Sequence, residues 1–310
     1  MNQYKIKNIK NYQEWLQFFL LINKPNLPQS WSYGEAKVSS HGWKIVRAVI
    51  TENENPIALI QAWYKKILFF KLVRISYGPL WIIKNPSFEQ IKNIFLTIKK
   101  KFCLKKLIAL SIAPNLENSP ENKKILADLF FLKRKTLSYE SGLVDLTQSV
   151  SDLRIKLRQN WRNQLNLSEK KSLAFKISQN SDDFQWIITC FETLRKEKNF
   201  YGHSVKLLNA LFHCRFRCQK SLVGIVSQNN ERIAGMLFSY HGLSAVSLII
   251  WVSKKGRSLN AGNFLFWNSL LDAKEKGCLS FDLGSTVNNS FKKGLPHKPF
   301  RLVGEYYVLI

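Results

Sequence analysis

The sequence is poor in acidic residues, in cysteine and in long apolar stretches. Its 310 residues contain 21 Asp and Glu against 47 Lys and Arg, so the formal net charge is +26. The five cysteines have no regular spacing, which excludes a disulfide framework and indicates free thiols in a reducing compartment. The longest apolar stretches, residues 15–22 and 243–252, are far shorter than the roughly 18–20 residues of a membrane span, and the first makes a poor signal peptide. We therefore expect a cytoplasmic protein.

Several catalytic motifs are also absent from the sequence. There is no His-Glu-x-x-His helix, no Gly-x-Ser-x-Gly elbow, no Gly-x-x-x-x-Gly-Lys-Ser/Thr loop and no paired Cys-x-x-Cys site. The segment His213–Cys218 contains potential metal ligands, but no second cluster completes a tetrahedral shell. No metal is therefore expected.

The positive charge is spread evenly along the chain. Residues 1–150 and residues 151–310 each carry a net charge of +13. Such a surface favours polyanionic partners, because it attracts them at long range and releases their counterions on binding. It also suits peripheral contact with the inner face of an anionic membrane. The alternative explanation is a compositional bias, since Lys- and Asn-rich chains also arise without a functional cause.

Helical and extended patterns alternate in both halves of the chain, which is typical of the α/β and α+β classes. Residues 49–58 and 225–234 match at a constant offset of 176 residues. Each segment reads as a strand, a polar turn and a second strand that begins Ile-Ala, which indicates a duplicated antiparallel hairpin. We therefore predict two similar domains, residues 1–146 and 147–310. The alternative is a chance likeness between two hairpins.

A basic helix is predicted over residues 152–170. Arg154, Arg158 and Arg162 recur every four residues and would share one face of that helix. At about 1.5 Å rise per residue, the three arginines would span roughly 12 Å, which suits successive phosphates of one ligand. The alternative is a solvated charged face.

A second basic segment leads directly into a helix predicted over residues 259–276. The basic side chains of residues 254–257 would meet the unpaired N–H groups at the start of that helix, a suitable place for a phosphate. The segment Arg257–Gly262 resembles the turn of GNAT acetyltransferases that cradles the pyrophosphate of coenzyme A. Asn260 stands where that turn has its first glycine, so we keep acyl-CoA binding at Arg257 and Asn260 as the alternative.

A longer series of motifs resembles the FemABX family, the peptidoglycan-bridge aminoacyltransferases that include the methicillin-resistance factors. The matching segments cover nearly the whole chain in the order of the family. They are Pro28-Gln29-Ser30-Trp31 with Lys37 and Gly42-Trp43, Tyr77-Gly78-Pro79, Leu143-Val144-Asp145-Leu146, Arg158 with Arg162, Phe264-Leu265-Phe266-Trp267, Ala273-Lys274-Glu275-Lys276-Gly277, Phe281-Asp282-Leu283-Gly284, and Phe291-Lys292-Lys293-Gly294 with Tyr306. Each segment is short, and the specificity lies in the ordered series.

The resemblance implies tandem GNAT-like acyl-CoA N-acyltransferase domains with mixed sheets flanked by helices. It also implies that an amino acid passes from aminoacyl-tRNA to an amine of an anionic cell-wall precursor, with no separate cofactor. Lys37 would contact the phosphate or sugar region of the precursor, and Lys292 would lie beside the reacting carbonyl. Arg158 and Arg162 would contact anions. The aromatic side chains of the matching segments would line the substrate sites; they are Trp31, Tyr77 and Trp267.

Acyl transfer to an amine defines what such a site must supply. The amine must lose a proton to attack, and the ester oxygen must accept negative charge in the tetrahedral intermediate. An ammonium at Lys292 would stabilise this oxyanion by roughly 3–4 kcal/mol, the loss that follows removal of one oxyanion-hole donor. Asp282, at the end of the preceding strand, would orient the site or, as we favour, cap backbone donors. Some family members have an acidic residue where this chain has Ala113, so no general base is assigned.

Two other functions are consistent with the sequence. One is an acyl-CoA-dependent N-acyltransferase that acts on the amine of a sugar, a lipid or a peptide. The other is a non-catalytic module that binds polyanions, because a fold alone does not determine a function.

Overall fold

The chain folds into two units, each built around its own β-sheet. A computed structural model describes residues 3–103, 108–129, 132–134, 138–200, 202–287 and 289–309. The first unit comprises Met1–Glu140 together with Phe300–Ile310, and the second comprises Ser141–Pro299. This division differs from the boundary predicted after residue 146, and it assigns the C-terminal segment to the first unit.

The strands form two mixed sheets. They are β1 (Tyr4–Asn8), β2 (Lys44–Glu52), β3 (Asn55–Ile67), β4 (Phe70–Ser76), β5 (Leu80–Trp81), β6 (Ile108–Ala113), β7 (Leu132–Lys133), β8 (Glu140–Asp145), β9 (Ala174–Ser178), β10 (Gln219–Gln228), β11 (Glu231–His241), β12 (Ser244–Val252), β13 (Ser280–Ser285), β14 (Lys298–Arg301) and β15 (Tyr306–Leu309). The first sheet has the order β1-β2-β3-β4-β6-β15-β7, with β5 paired to β3, and the second has the order β14-β8-β13-β12-β11-β10-β9. Because β15 pairs antiparallel with β6, the C-terminal residues complete the first sheet.

Helices accompany both sheets. They are α1 (Tyr12–Phe19), α2 (Trp31–His41), α3 (Phe88–Cys103), α4 (Pro120–Asp128), α5 (Val150–Ile155), α6 (Gln159–Glu169), α7 (Ser181–Lys198), α8 (Val205–His213), α9 (Lys254–Ser258) and α10 (Ala261–Glu275). Short 3₁₀ turns lie at Leu27–Gln29 and Lys292–Gly294. Within the described residues, none of the helices has the length and apolar character needed to cross a bilayer.

The core of the first unit lies between its sheet and α3. The apolar residues of α3 recur every three or four positions, which places Ile91, Ile94, Phe95 and Ile98 on one face. All four are buried in one cluster with residues of β2, β3, β4 and β6. This apolar period is visible in the sequence of residues 87–101, and it matches the face that the sheet covers.

Both faces of the second sheet are covered by helices. Along β10, Leu222 and Val226 belong to the apolar cluster that contains α6 and α10, whereas Val223 and Ile225 belong to the cluster that contains α7 and α8. This division follows from the two-residue period of a strand. The predicted class, an α/β fold with mixed sheets flanked by helices, is confirmed.

The two hairpins predicted to match do so in the structure. β2–β3 turns through Asn53–Glu54, with φ of 49° and 68°, and β10–β11 turns through Asn229–Asn230, with φ of 50° and 63°. Each hairpin also has a register shift, between residues 50 and 51 in the first and between residues 226 and 227 in the second. The turn and the register shift of the second hairpin therefore both lie 176 residues after those of the first.

Candidate active site

The ammonium of Lys292 lies inside the second unit. Lys292 begins the 3₁₀ turn that follows β13, and only 8% of the residue is exposed. Its N–H donates to Asn289 Oδ1 (3.1 Å), and its Nζ donates to the Ser285 carbonyl (3.2 Å). Burial lowers the pKa of Lys292 to about 8, although the nearby Asp282 carboxylate raises it. The side chain is therefore cationic at neutral pH and loses its charge in mildly alkaline solution.

Asp282 and Ser141 hold the strand end beside Lys292. Asp282 Oδ1 accepts a hydrogen bond from the Gly284 N–H (2.8 Å) and contacts the Ser141 hydroxyl, which also lies 2.7 Å from the Gly284 carbonyl. Gly284 has a φ of 70°, and a Cβ there would lie 2.8 Å from the Ser247 carbonyl oxygen and 3.3 Å from Lys292 Nζ. The carboxylate thus anchors a turn that requires glycine for the ammonium to approach.

Aromatic packing explains the other residues of the Phe-Lys-Lys-Gly motif. Phe291 packs against Trp161, with ring centroids 5.8 Å apart. Gly294 lies against the same tryptophan, since a Cβ there would come within 2.5 Å of Trp161 Cδ1. Lys293 is exposed, whereas Lys292 is buried. The phenylalanine and the glycine therefore fix the turn, and Lys292 is its buried cation.

The single helix predicted over residues 152–170 is wrong. The chain forms α5 and α6, which are separated at residues 156–158 because Arg158 leaves the helical region with a ψ of 143°. The Arg158 N–H donates to the Gly294 carbonyl (3.0 Å). The Gly294 carbonyl thus takes the place of the carbonyl that a continuous helix would offer to the Arg158 N–H. Helical periodicity does not reveal this contact between distant segments.

The three arginines of this segment consequently do not form one ridge. Arg154 Nη1 donates to Glu169 Oε1 (2.9 Å), and Arg162 Nη1 donates to the Ile155 carbonyl (2.9 Å). Arg158 is exposed at the start of α6. Arg158 and Arg162 still lie one turn apart, since the Arg162 N–H donates to the Arg158 carbonyl (2.9 Å), and their role as anion contacts stays a prediction.

The basic segment 254–258 is itself helical, which the sequence pattern did not predict. Ser253 caps α9, and Arg257 Nη1 donates to the Val252 carbonyl (2.8 Å). Asn260 separates α9 from α10 and has a φ of 55°. Asparagine enters this left-handed region more readily than most residues other than glycine. The asparagine therefore preserves a backbone conformation that glycine would also adopt.

A second cluster of cations and tyrosines lies in the first unit. Lys37 is half-buried on α2, with Nζ 5.7 Å from the ring centroid of Tyr33. Burial and the nearby Arg74 lower the pKa of Lys37. Burial and the neighbouring Tyr77 raise the pKa of Tyr33 to about 12, although Arg74 lowers it. The structure thus places Lys37 and Tyr77 around the same tyrosine and adds Arg74 as a second cation.

Both tryptophans predicted to contact substrate pack in the interior of their own units. Trp267 is 3% exposed and belongs to the core of the second unit. Trp31 is 9% exposed, and the Arg47 guanidinium carbon lies 3.5 Å from the centroid of its ring. This is the geometry of a cation–π interaction. The structure therefore gives both rings a packing role.

A buried polar network explains the Pro-Gln-Ser-Trp motif. Gln29 Nε2 donates to the carbonyls of Gln61 (3.0 Å) and Ser76 (2.9 Å), and Gln29 Oε1 accepts from the Gln61 N–H (2.7 Å). Arg47 Nε donates to Gln61 Oε1 (2.7 Å), and its Nη2 donates to Glu35 Oε1 (2.8 Å). The motif thus ties α2 to the first sheet.

Sequence reasoning missed three residues of these two clusters: Ser141, Arg74 and Tyr33. Ser141 lies just before the Leu-Val-Asp-Leu segment, and no motif marks it. Tyr33 lies four residues before Lys37 on α2, so the helical period was the signal that would have found it. Arg74 reaches the cluster from β4, and only the pairing of strands reveals this proximity.

Residues 155–293 match the family described as the acetyltransferase (GNAT) domain. This match covers somewhat less than half of the chain. The matched region includes Asp282 and Lys292 and extends over most of the second unit. No curated protein sequence matches the chain.

Similar solved structures extend the likeness to the first unit. The crystal structure of FemX has 14% sequence identity and a TM-score of 0.80, covering 99% of this chain and 97% of FemX. A tandem GNAT protein from the clavulanic acid biosynthesis pathway has 9% identity and a TM-score of 0.56, with 99% and 98% covered. The C-terminal domain of a putative lysylphosphatidylglycerol synthetase from Agrobacterium fabrum has 14% identity and a TM-score of 0.57, with 95% and 91% covered.

At these identities, the structural likenesses show the fold. The chain is FemX-like in fold, as the series of motifs implied, and the match of residues 155–293 to the GNAT acetyltransferase domain confirms the prediction of an acyltransferase. The fold does not identify the acyl donor or the acceptor.

Proposed function

We propose that the protein transfers an amino acid from aminoacyl-tRNA to an amine of a peptidoglycan precursor peptide. The observation that carries the proposal is the buried cation Lys292, held beside Gly284 in a FemX-like fold. The even spread of positive charge supports it further, because both the donor and the precursor are anionic.

In the proposed reaction, the acceptor amine attacks the ester carbonyl of the donor. The new C–N bond forms, the carbonyl oxygen gains negative charge, and the C–O bond to the tRNA ribose then breaks. The Lys292 ammonium donates a hydrogen bond to the developing oxyanion, a contribution of about 3–4 kcal/mol to the transition state. The proton of the amine leaves to solvent or to the ribose oxygen, since no protein base is assigned.

Asp282 is a positioning residue in this scheme. Its carboxylate raises the pKa of Lys292 and holds the Gly284 N–H, so it keeps the ammonium charged and the turn in place. Removing this charge in an Asp282→Asn variant lowers the pKa of Lys292 further. As the pH is raised, the variant should therefore lose activity at a lower pH than the wild type does. A merely structural role would lower activity equally at every pH.

The first unit would hold the anionic acceptor. Lys37 and Arg74 are neighbouring cations beside Tyr33 and Tyr77, a combination that suits a phosphate with an attached sugar. We place the enzyme in the cytoplasm, with peripheral contact at the inner face of the membrane. No cofactor besides the charged tRNA is part of the proposal.

The test follows a labelled amino acid from charged tRNA to precursor peptide in the wild type, Lys292→Ala and Lys293→Ala. Lys293 is the matched control, because it is the adjacent lysine but is exposed. We expect transfer by the wild type and Lys293→Ala, and a loss of about 10²–10³-fold in Lys292→Ala. Absence of transfer from every charged tRNA, or equal rates in all three proteins, would contradict the proposal.

The left-handed Asn260 favours a second candidate, an acyl-CoA-dependent N-acyltransferase acting on a sugar, lipid or peptide amine. Asn260 keeps at the start of α10 a backbone conformation that glycine favours, and it lies within the matched GNAT domain. Acyl-CoA should then raise the thermal midpoint of the wild type, and Asn260→Val should abolish the shift because a β-branched residue disfavours this conformation. No shift with acyl-CoA would reject this candidate.

A further inference from the structure

The hairpin between β3 and β4 ends in four exposed apolar side chains. The exposed fractions are 51% for Ile67, 89% for Leu68, 84% for Phe69 and 54% for Phe70. We call residues 67–70 the apolar tip. Isolated exposed apolar residues are ordinary, but four consecutive ones at the end of a projecting hairpin form a continuous apolar surface.

The turn of the apolar tip has a backbone conformation that favours residues other than leucine. Leu68 has a φ of 52°, a left-handed conformation that leucine adopts rarely. Asn53 and Asn229 occupy the corresponding position in the two duplicated hairpins. Those turns are polar and suit their backbone, whereas this turn keeps a large apolar residue in an unfavourable conformation. Folding alone does not explain this choice.

Lysines surround the base of the apolar tip. Lys66 and Lys71 are paired across the hairpin, directly below the Ile67–Phe70 pair. Lys71 Nζ lies 4.4 Å from the ring centroid of Tyr64. Lys65 Nζ lies 5.4 Å from the ring centroid of Trp43, on the segment that leads into β2. The hairpin thus carries an apolar end, then cations, then amphipathic aromatic rings.

The surrounding sequence contains no opposing charge. No Asp or Glu occurs between Glu54 and Glu89, a stretch that includes both strands of the hairpin. This order of side chains matches the layers of an anionic bilayer surface. Apolar groups enter the acyl boundary, and lysines meet the headgroup phosphates. Tyr and Trp favour the interface itself.

We propose that the apolar tip inserts into the surface of an anionic phospholipid membrane, with Lys65, Lys66 and Lys71 at the headgroups. A two-residue turn offers too little area for a stable protein interface, which commonly needs about 800 Å² from each partner. A bilayer needs no matching pocket. This proposal deepens the peripheral membrane contact of the proposed function, but its test does not depend on transfer activity, because it involves neither Lys292 nor the donor.

The test is cosedimentation with vesicles of equal parts phosphatidylglycerol and phosphatidylcholine. The variant Leu68→Gly with Phe69→Ser removes the two most exposed side chains and leaves the net charge unchanged. Glycine suits the φ of residue 68, so this variant should fold at least as well as the wild type. The matched control is Ile155→Ser with Leu167→Ser, two apolar residues of the second unit that are 68% and 52% exposed.

High salt separates apolar insertion from the general attraction of a basic protein, because it screens the charges. At high salt we expect the wild type and the control variant to bind equally, and the tip variant to bind at least about tenfold more weakly. Equal binding by all three proteins would overturn the proposal. So would a tip variant that loses self-association, measured by light scattering, while its vesicle binding is unchanged.

Discussion

Two buried cations of this protein, Arg47 and Lys292, are each 8% exposed but have different partners. Arg47 donates to the Glu35 carboxylate (2.8 Å) and to Gln61 Oε1 (2.7 Å), and it stacks on Trp31. Within the described part of the chain, Lys292 Nζ donates to the Ser285 carbonyl (3.2 Å), and the nearby Asp282 carboxylate raises its pKa.

Arg47 thus has a structural role, and Lys292 is the cation that we propose to be functional. The Arg47 guanidinium donates to a carboxylate, a side-chain amide and the Trp31 carbonyl, and these bonds stabilise the fold around it. The Lys292 ammonium has three donors and, among the residues that the structure describes, donates to one carbonyl, so it keeps capacity for a further acceptor. Burial lowers the pKa of both, to about 10 for Arg47 and about 8 for Lys292.

The largest expected effect is on folding and comes from Arg47. Arg47→Ala leaves the buried Gln61 Oε1 without this donor and removes the stacking on Trp31, so we expect a loss of about 3 kcal/mol in the free energy of unfolding. Urea denaturation measures it. The control is Lys5→Ala, which removes an exposed ion pair with Glu54 and should cost less than about 1 kcal/mol. Equal losses in the two variants would mean that the network is not structural.

Lys292→Met should have the opposite effect on stability. The variant removes a buried charge, so we expect a gain of about 2 kcal/mol at pH 7. Because the pKa of Lys292 is lowered to about 8 from 10.5, the unfolded wild type binds more protons between these values. The stability of the wild type therefore rises with pH in this window, and the gain from methionine shrinks. A gain that is constant from pH 7 to pH 11 would contradict the assignment.

Two glycines in the left-handed region test the approach of Lys292 to the strand end. Gly277 has a φ of 80°, and a Cβ there would meet none of the described residues within 4 Å, so Gly277→Ala should cost only the backbone strain, about 1 kcal/mol. Gly284→Ala adds a clash with the Ser247 carbonyl, and we expect about 2–3 kcal/mol together with lower transfer activity. Thermal unfolding and a transfer assay of both variants measure the difference. Equal costs would show that the close approach is not required.

Local patterns in the sequence predicted much of the fold. The duplicated hairpin was visible because its turn, its strands and its spacing all lie within ten residues. Helix α3 was visible because its apolar period reports the face that the sheet covers. The Phe-Lys-Lys-Gly motif marks a segment that holds a buried cation, although only burial distinguishes Lys292 from Lys293.

Contacts between distant segments could not be predicted in this way. The break at Arg158 depends on the Gly294 carbonyl, and the assignment of the C-terminal residues depends on the pairing of β15 with β6. Ser141 reaches Asp282 only because β8 lies beside β13. Each of these features requires the sheet order, which periodicity within one segment does not contain.

The most direct test of the account is the single-turnover rate of transfer from charged tRNA by the wild type and Lys292→Met at pH 7. If the buried ammonium serves the reaction, the variant should be at least as stable as the wild type yet slower by about 10²–10³-fold. A variant that transfers at the wild-type rate would show that the cation of Lys292 has no part in the chemistry.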